Sequence, residues 1–224
     1  MELVNLSLAR GDRLVFSSLS LDLPEKRIGL IGPNGSGKSS LLRLLKGLIK
    51  PESGRVQRPE QVGLVFQNPD HQLLFPTVME ELCFGRIERG ESPEQARAFA
   101  QDLLAYHHCA FLAEKATHEL SDGQKQLLCI FSVLADGADV MLFDEPCASL
   151  DLATTNAISK LIQNLSQQVV LATHDLRLLK NFERVIWLDH GQVRMDGPAS
   201  HVLPAYEAAY EKAGHEETTA EAPT

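Results

Sequence analysis

The chain has 224 residues, 44% of them hydrophobic, with a formal net charge of −9 and an isoelectric point near 5.4. That length allows one large α/β domain or two small ones, with a sizeable core. The acidic balance argues against a broad basic face for nucleic acid, and no apolar run reaches the ~18 residues of a membrane span. The longest candidate, LLCIFSVLADGADVMLF, is interrupted by Asp136, Gly137 and Asp139. No basic start with a long apolar core marks a secretion signal. The four cysteines, Cys83, Cys109, Cys129 and Cys147, are widely spaced with no CxxC pair, as reduced thiols are. These features describe a soluble, cytosolic chain.

Leu3–Leu8 and Leu19–Leu23 read as strands flanking the polar turn ARGDR. RIGLI, ending at Ile31, is a continuous apolar run, the pattern of a strand buried on both faces. The helix after GPNGSGKS carries Leu41, Leu42, Leu44, Leu45 and Leu48. It stops before KPESGR, a turn cluster with Pro51 and Gly54. QVGLVF is another strand, ending at Gln67. Thr77 with Glu80, and Ser92 with Gln95, spell capping boxes for helices running to about Gly85 and about His107. Residues 69–123 hold helix signals and no strand, and read as a helical subdomain inserted into an α/β core. VMLFDEP and VVLATHD are two more buried-strand runs, and RVIWLDHGQVRMDG reads as a hairpin turning at His190 and Gly191. A single domain is expected over residues 1–210. The acidic, polar stretch GHEETTAEAPT, 214–224, is expected to be a disordered tail.

The chemistry begins at GPNGSGKS. Glycines at 32, 35 and 37 let successive N–H groups point inward as an anion nest, deepened by the following helix N-terminus. Lys38 reaches phosphate in this reading, and Ser39 offers its hydroxyl to Mg²⁺. The loop alone does not separate kinases, GTPases, helicases and motors. Asp144 and Glu145 end a buried strand, where α/β sheets bind ligands. Alternation sends them in different directions, so Asp144 suits an Mg²⁺ ligand, direct or through water. Glu145 suits a general base that polarises attacking water, which favours hydrolysis. In LSDGQKQLLCIF, Ser121 occupies the N-cap of a largely buried helix, a second anion-seeking helix start.

GPNGSGKSS, Gln67, LSDGQKQ, VMLFDEP, SLD at 149–151 and His174 stand in the order and at the spacings of an ATP-binding cassette (ABC) ATPase. The chain resembles that family over nearly its whole length. The resemblance implies an α/β fold with a P-loop NTPase core: a mostly parallel sheet, an N-terminal antiparallel β part and the inserted helical subdomain. It implies ATP held by Gly32, Pro33, Asn34, Gly35, Ser36, Gly37, Lys38, Ser39 and Ser40, and Mg²⁺ held by Ser39, Asp144 and Gln67. Family members work as head-to-tail dimers. Ser121, Gly123 and Gln124 would then contact the γ-phosphate at the other copy's Lys38, and Asp151 would cross the interface. His174 would hydrogen-bond the γ-phosphate and fix the geometry around Glu145, while Gln67 would bind Mg²⁺ or the lytic water. One complete motif set per chain suffices for a homodimer. Two departures stand out: Asp122 where the family has glycine, and Arg10 where it stacks adenine on an aromatic ring.

The interval between Lys38 and Ser121 leaves no room for the coiled coil of DNA-repair clamps, and a single cassette differs from the tandem soluble members. NPDHQLLFPTVMEELCFG, after Gln67, resembles the segment in energy-coupling-factor importers, which take up vitamins and transition-metal ions. There it receives a helix of a transmembrane coupling subunit that also holds a substrate-binding membrane subunit. Asp70, Gln72, Leu73, Leu74 and Phe75 would line that groove; the plainer alternative is a loop with a half-buried helix start. The short C-terminus resembles the ATPases of biotin and cobalt or nickel modules, with biotin the expected cargo. Such a subunit sits peripherally on the cytoplasmic face of the cell membrane. The alternatives are the ATPase of a conventional importer with a periplasmic binding protein, or a soluble regulatory cassette protein.

Overall fold

The computed structural model describes residues 1–11 and 13–220. β1 (Glu2–Arg10) pairs antiparallel with β2 (Arg13–Asp22) on one side and with β4 (Ser53–Gln57) on the other. Strict alternation would not bury both Leu3 and Leu6, yet both are inside. The register shifts between them, where Asn5 adopts φ 48°, so one extra residue resets the face. β4 begins inside the stretch expected to be a turn. It is exposed along most of its length and is held by backbone pairing, which leaves no apolar pattern to read.

The second sheet contains β3 (Arg27–Ile31), β5 (Val62–Val65), β6 (Val140–Asp144), β7 (Gln168–Ala172), β8 (Arg184–Asp189) and β9 (Gln192–Gly197), in the order β5-β6-β7-β3-β8-β9. All neighbours are parallel except β8 with β9, a hairpin that turns at His190 and Gly191 as its sequence indicates. β3, β5 and β6 are buried at every position because helices cover both faces. α1 (Lys38–Lys46) sends Leu41, Leu42, Leu44 and Leu45 into a core shared with Leu6, Phe16, Leu30, Leu142 and Ile186.

Between 69 and 121 the assigned elements are α2 (Val78–Glu88), α3 (Pro93–Tyr106) and short 3-10 turns, with one isolated bridge, Thr77 to Ala116. Ser92 makes the full reciprocal cap with Gln95. At Thr77 the box is half-made: Glu80 N–H donates to the threonine hydroxyl, and that hydroxyl donates to the Glu80 carboxylate at 2.6 Å. α4 (Asp122–Ala135) joins this subdomain to the sheet. Leu128 and Phe131 pack among Val78, Leu82, Ala100 and Leu104, whereas Ile130 and Val133 pack on Met141 and Phe143. A helix apolar on two sides has to be enclosed on two sides. α5 (Leu152–Asn164) covers the same sheet face through Ile158 and Ile162, and α6 (Ala199–Ala220) docks with Val202 and Leu203 near Trp187.

The stretch expected to be a disordered tail from Gly214 is helical as far as Ala220, continuing α6 despite the weak helix formers Gly214, His215, Thr218 and Thr219. Residues 221–224 of that expectation lie outside the described residues.

Candidate active site

Four neighbouring parallel strands end at one edge of the sheet. β5 leads to Gln67, β6 to Asp144 and Glu145, β7 to His174, and β3 to the glycine loop. They enclose a cleft of about 1050 Å³. In the loop, Gly32, Gly35 and Gly37 have φ of 143°, 78° and 111°. A β-carbon at Gly32 would collide with the Leu188 carbonyl oxygen, and one at Gly37 would sit 2.7 Å from the Phe16 ring. Only glycine meets both demands. Gly37 also occupies the N-cap of α1 without a side-chain cap, leaving the first N–H groups of that helix for an anion.

Lys38 is buried and folds back over the loop, donating to the carbonyls of Gly32 (2.6 Å) and Pro33 (3.2 Å). Burial pulls its pKa down, against the pull of Glu145 and Asp144. Ser39 Oγ donates to Asp144 Oδ1 at 2.9 Å. Hydroxyl and carboxylate thus meet as two hard oxygen donors, with the Gln67 amide in the same cleft, a set suited to Mg²⁺ that keeps water and phosphate ligands. Among the described residues no three His, Cys, Asp or Glu side chains converge on a possible metal position, so no all-protein cage competes with that arrangement.

Glu145 leaves the strand through a left-handed backbone, φ 51°, its N–H still bonded to the Ala172 carbonyl at 2.9 Å. Its Oε2 accepts from the His174 backbone N–H at 3.2 Å. Oε1 is buried without a hydrogen-bond partner, 3.4 Å from His174 Nε2. Burial raises the Glu145 pKa; the His174 N–H and the His174 and Lys38 side chains oppose the shift. His174 Nε2 also lies 3.1 Å from Asn34 Oδ1, bridging the loop to Glu145. The arrangement combines a phosphate cradle, a divalent-cation donor pair and a desolvated carboxylate, the parts needed for water attack on a phosphoryl group.

Ser121, Gly123 and Gln124 do not line this cleft, and Asp151 sits at its rim between Leu150 and Leu152, which do. Ser121 and Gln124 form a reciprocal cap on α4, with Gln124 N–H donating to Ser121 Oγ and Ser121 N–H to Gln124 Oε1. Asp151 caps α5, accepting from Thr154 N–H (3.0 Å) and Thr154 Oγ (2.7 Å), and these bonds depress its pKa. A β-carbon on Gly123 would run into Thr154 Cγ2, so the two helix starts abut. Asp122 lies in the exposed first turn of α4, where the helix dipole favours a carboxylate.

Arg10 lines the cleft, joined by residues for which the sequence carried no signal: Arg13, whose guanidinium donates to Gly35 O at 3.1 Å, Arg43, and the Asp175–Arg177 pair. Cys147 lines it too, its thiol pushed up to about 11 by burial. The segment after Gln67 is partly engaged within the chain. Asp70 accepts from Lys125 of the same chain at 2.7 Å while staying 62% exposed, Gln72 turns inward, and the half-buried Leu73 packs against the core. Leu74 is 76% exposed, beside Phe75, whose ring is tilted against Phe84 (ring centroids 4.7 Å apart).

Residues 16–148 match the family model described as ABC transporter. The chain belongs to the ABC transporter family. A biotin transport ATP-binding protein (BioM) of Rhodobacter capsulatus is 44% identical over 221 residues, 93% of this chain and 94% of the relative. A second protein of that description, from Rhizobium etli, is 36% identical, covering 88% of this chain and 92% of its own length. Among solved structures, a CbiO protein of Clostridium perfringens, part of the ABC transporter complex cbiONQ, superposes with a TM-score of 0.81 at 26% identity. It covers 97% of this chain and 98% of its own. This ABC protein is an ATPase whose ATP hydrolysis is coupled to transport. No helix among its described residues is long and apolar enough to cross a membrane.

Proposed function

We propose that this ABC protein is the ATP-hydrolysing subunit of an energy-coupling-factor importer, seated peripherally on the cytoplasmic face of the membrane, with biotin as cargo. Two copies act head to tail. The observation that carries the assembly is the separation within one chain: Lys38, Ser39, Asp144, Glu145 and His174 line the cleft, while Ser121, Gly123 and Gln124 do not. A second copy supplies what the cleft lacks. Loop amides and Lys38 bind the phosphates, and Ser39, Asp144 and Gln67 hold Mg²⁺, which when bound neutralises charge on the phosphate oxygens. Glu145 accepts the proton of the attacking water, and His174 holds Glu145 and reaches the γ-phosphate. The relatives' biotin-transport descriptions support the cargo, and the exposed Leu74 and Phe84, with the half-buried Phe75 against Phe84, support a membrane-subunit dock.

Co-expression with a membrane coupling subunit and a biotin-binding membrane subunit tests the reading. ATP-dependent uptake of labelled biotin by the assembled complex is the expected result. Leu74→Asp should abolish assembly while the isolated chain keeps nucleotide binding, because it desolvates an unpaired acid at the dock. A dependence on a periplasmic binding protein would make this the ATPase of a conventional importer. Absence of any membrane partner would leave a soluble regulatory protein.

A further inference from the structure

β5 is an edge strand, hydrogen-bonded only to β6, and its pairing ends at Val65. The N–H and C=O of Phe66, one step beyond, make no backbone hydrogen bond among the described residues. Backbone groups at such a place need partners or water. Here two side-chain amides supply them. Phe66 N–H donates to Gln72 Oε1 at 3.1 Å, and Gln126 Nε2 donates to the Phe66 carbonyl at 3.2 Å. Gln72 then donates through Nε2 to the Cys129 carbonyl at 3.2 Å. Gln126 and Cys129 both belong to α4, and Gln126 is only 2% exposed. The bonds form a closed loop, with Phe66 on one side and α4 on the other. Outside it, the ion pair between Lys125 and Asp70 joins the same two segments.

The residue after Phe66 is Gln67. Its side chain lines the cleft and makes no hydrogen bond among the described residues, so its direction is inherited from the backbone that leads into it. We propose that Gln126 and Gln72 are positioning residues for Gln67. By clamping both backbone groups of Phe66 they fix the angle at which Gln67 enters the cleft, and they fasten it to the helix whose first turn carries Ser121. A loosened amide pair leaves buried polar groups unpaired, so the clamp holds as a unit. This inference rests on the reading of Gln67 as a residue that acts at the bound nucleotide. An ordinary strand-end cap would instead serve stability alone.

Gln126→Leu and Gln72→Met open the clamp from its two sides, so a folding defect in one leaves the other to decide. In the nucleotide-free full chain, hydrogen exchange of the Phe66 amide, the one held by Gln72, should quicken by about tenfold or more in either variant, with the interior of α4 unchanged. In steady-state ATP hydrolysis, kcat should fall on the order of tenfold while KM stays within about twofold. In a Gln67→Ala background the same substitutions should cost less than about twofold further, since the clamp acts through Gln67. Independent, multiplying losses would overturn the proposal, as would unchanged exchange at the Phe66 amide or a raised KM with wild-type kcat. If Gln67→Ala slows turnover and the clamp variants do not, the clamp fails and the role of Gln67 stands. Wild-type turnover in Gln67→Ala would remove both.

Discussion

At Glu145 the same surroundings bear on the proposed chemistry and on stability. The left-handed turn swings it off the strand and into a place where one carboxylate oxygen has no partner. Glu145→Gln keeps the shape and the phosphate cradle, so ATP binding should persist while turnover drops by at least ~10²-fold, the usual effect of losing a general base. A stopped-flow or steady-state assay beside nucleotide titration checks it. A stability effect of definite sign accompanies this. A carboxyl whose folded pKa is raised binds more protons when native, so its penalty is absent below the ordinary value of 4.5 and grows as pH rises past it. Glutamine carries no such penalty. Melting curves should therefore find Glu145→Gln more stable than the wild type near neutrality, with the gap closing towards pH 4.

At the scale of elements, the two helix starts in α4 and α5 are built against each other. Gly123 is required there by the Thr154 methyl group rather than by its own backbone, whose φ is not positive. Gly123→Ala should destabilise the chain by roughly 1–3 kcal/mol, the range for overpacking. Thr154→Ser removes the obstructing methyl and keeps the hydroxyl on Asp151, so it should restore much of that loss; chemical denaturation of the single and double variants measures it. No spacing rule in the sequence announced this pairing. The N-cap at Ser121 was legible because its partner, Gln124, is three residues away, while Thr154 is thirty-one positions on and reaches Gly123 only through packing of α4 and α5 over one sheet face.

In the whole molecule, the cleft and the Ser121–Gln124 turn are complementary parts that one chain keeps apart. Lys38→Ala and Ser121→Arg should each silence ATP hydrolysis alone. Mixing the two purified variants should recover up to about a quarter of wild-type turnover, since half the dimers formed at random are mixed and each of those holds one intact composite site. Absence of recovery would mean that each chain completes its own site. Leu74 does not line the cleft, so Leu74→Asp should leave this complementation intact.

The sequence by itself determined whatever depends on near neighbours. Glycines at 32, 35 and 37 fix the loop, buried runs fix β3, β5, β6 and β7, and Asp144 and Glu145 ride on the end of one of them. Their short-range chemistry admits few alternatives, which is why fold class and most cleft residues could be named. Tertiary structure alone decided the rest. β4 has no apolar pattern and exists only by pairing with β1. α5 and α6 had no counterpart in the sequence reading, although each buries an apolar stripe on the sheet. Asp70 carries the same charge whether it faces a partner protein or Lys125, and only the approach of α4 to the segment after Gln67 selects Lys125. Contacts between residues far apart in the chain follow from how layers stack, and that information is spread over every residue of the core rather than written at the positions that meet.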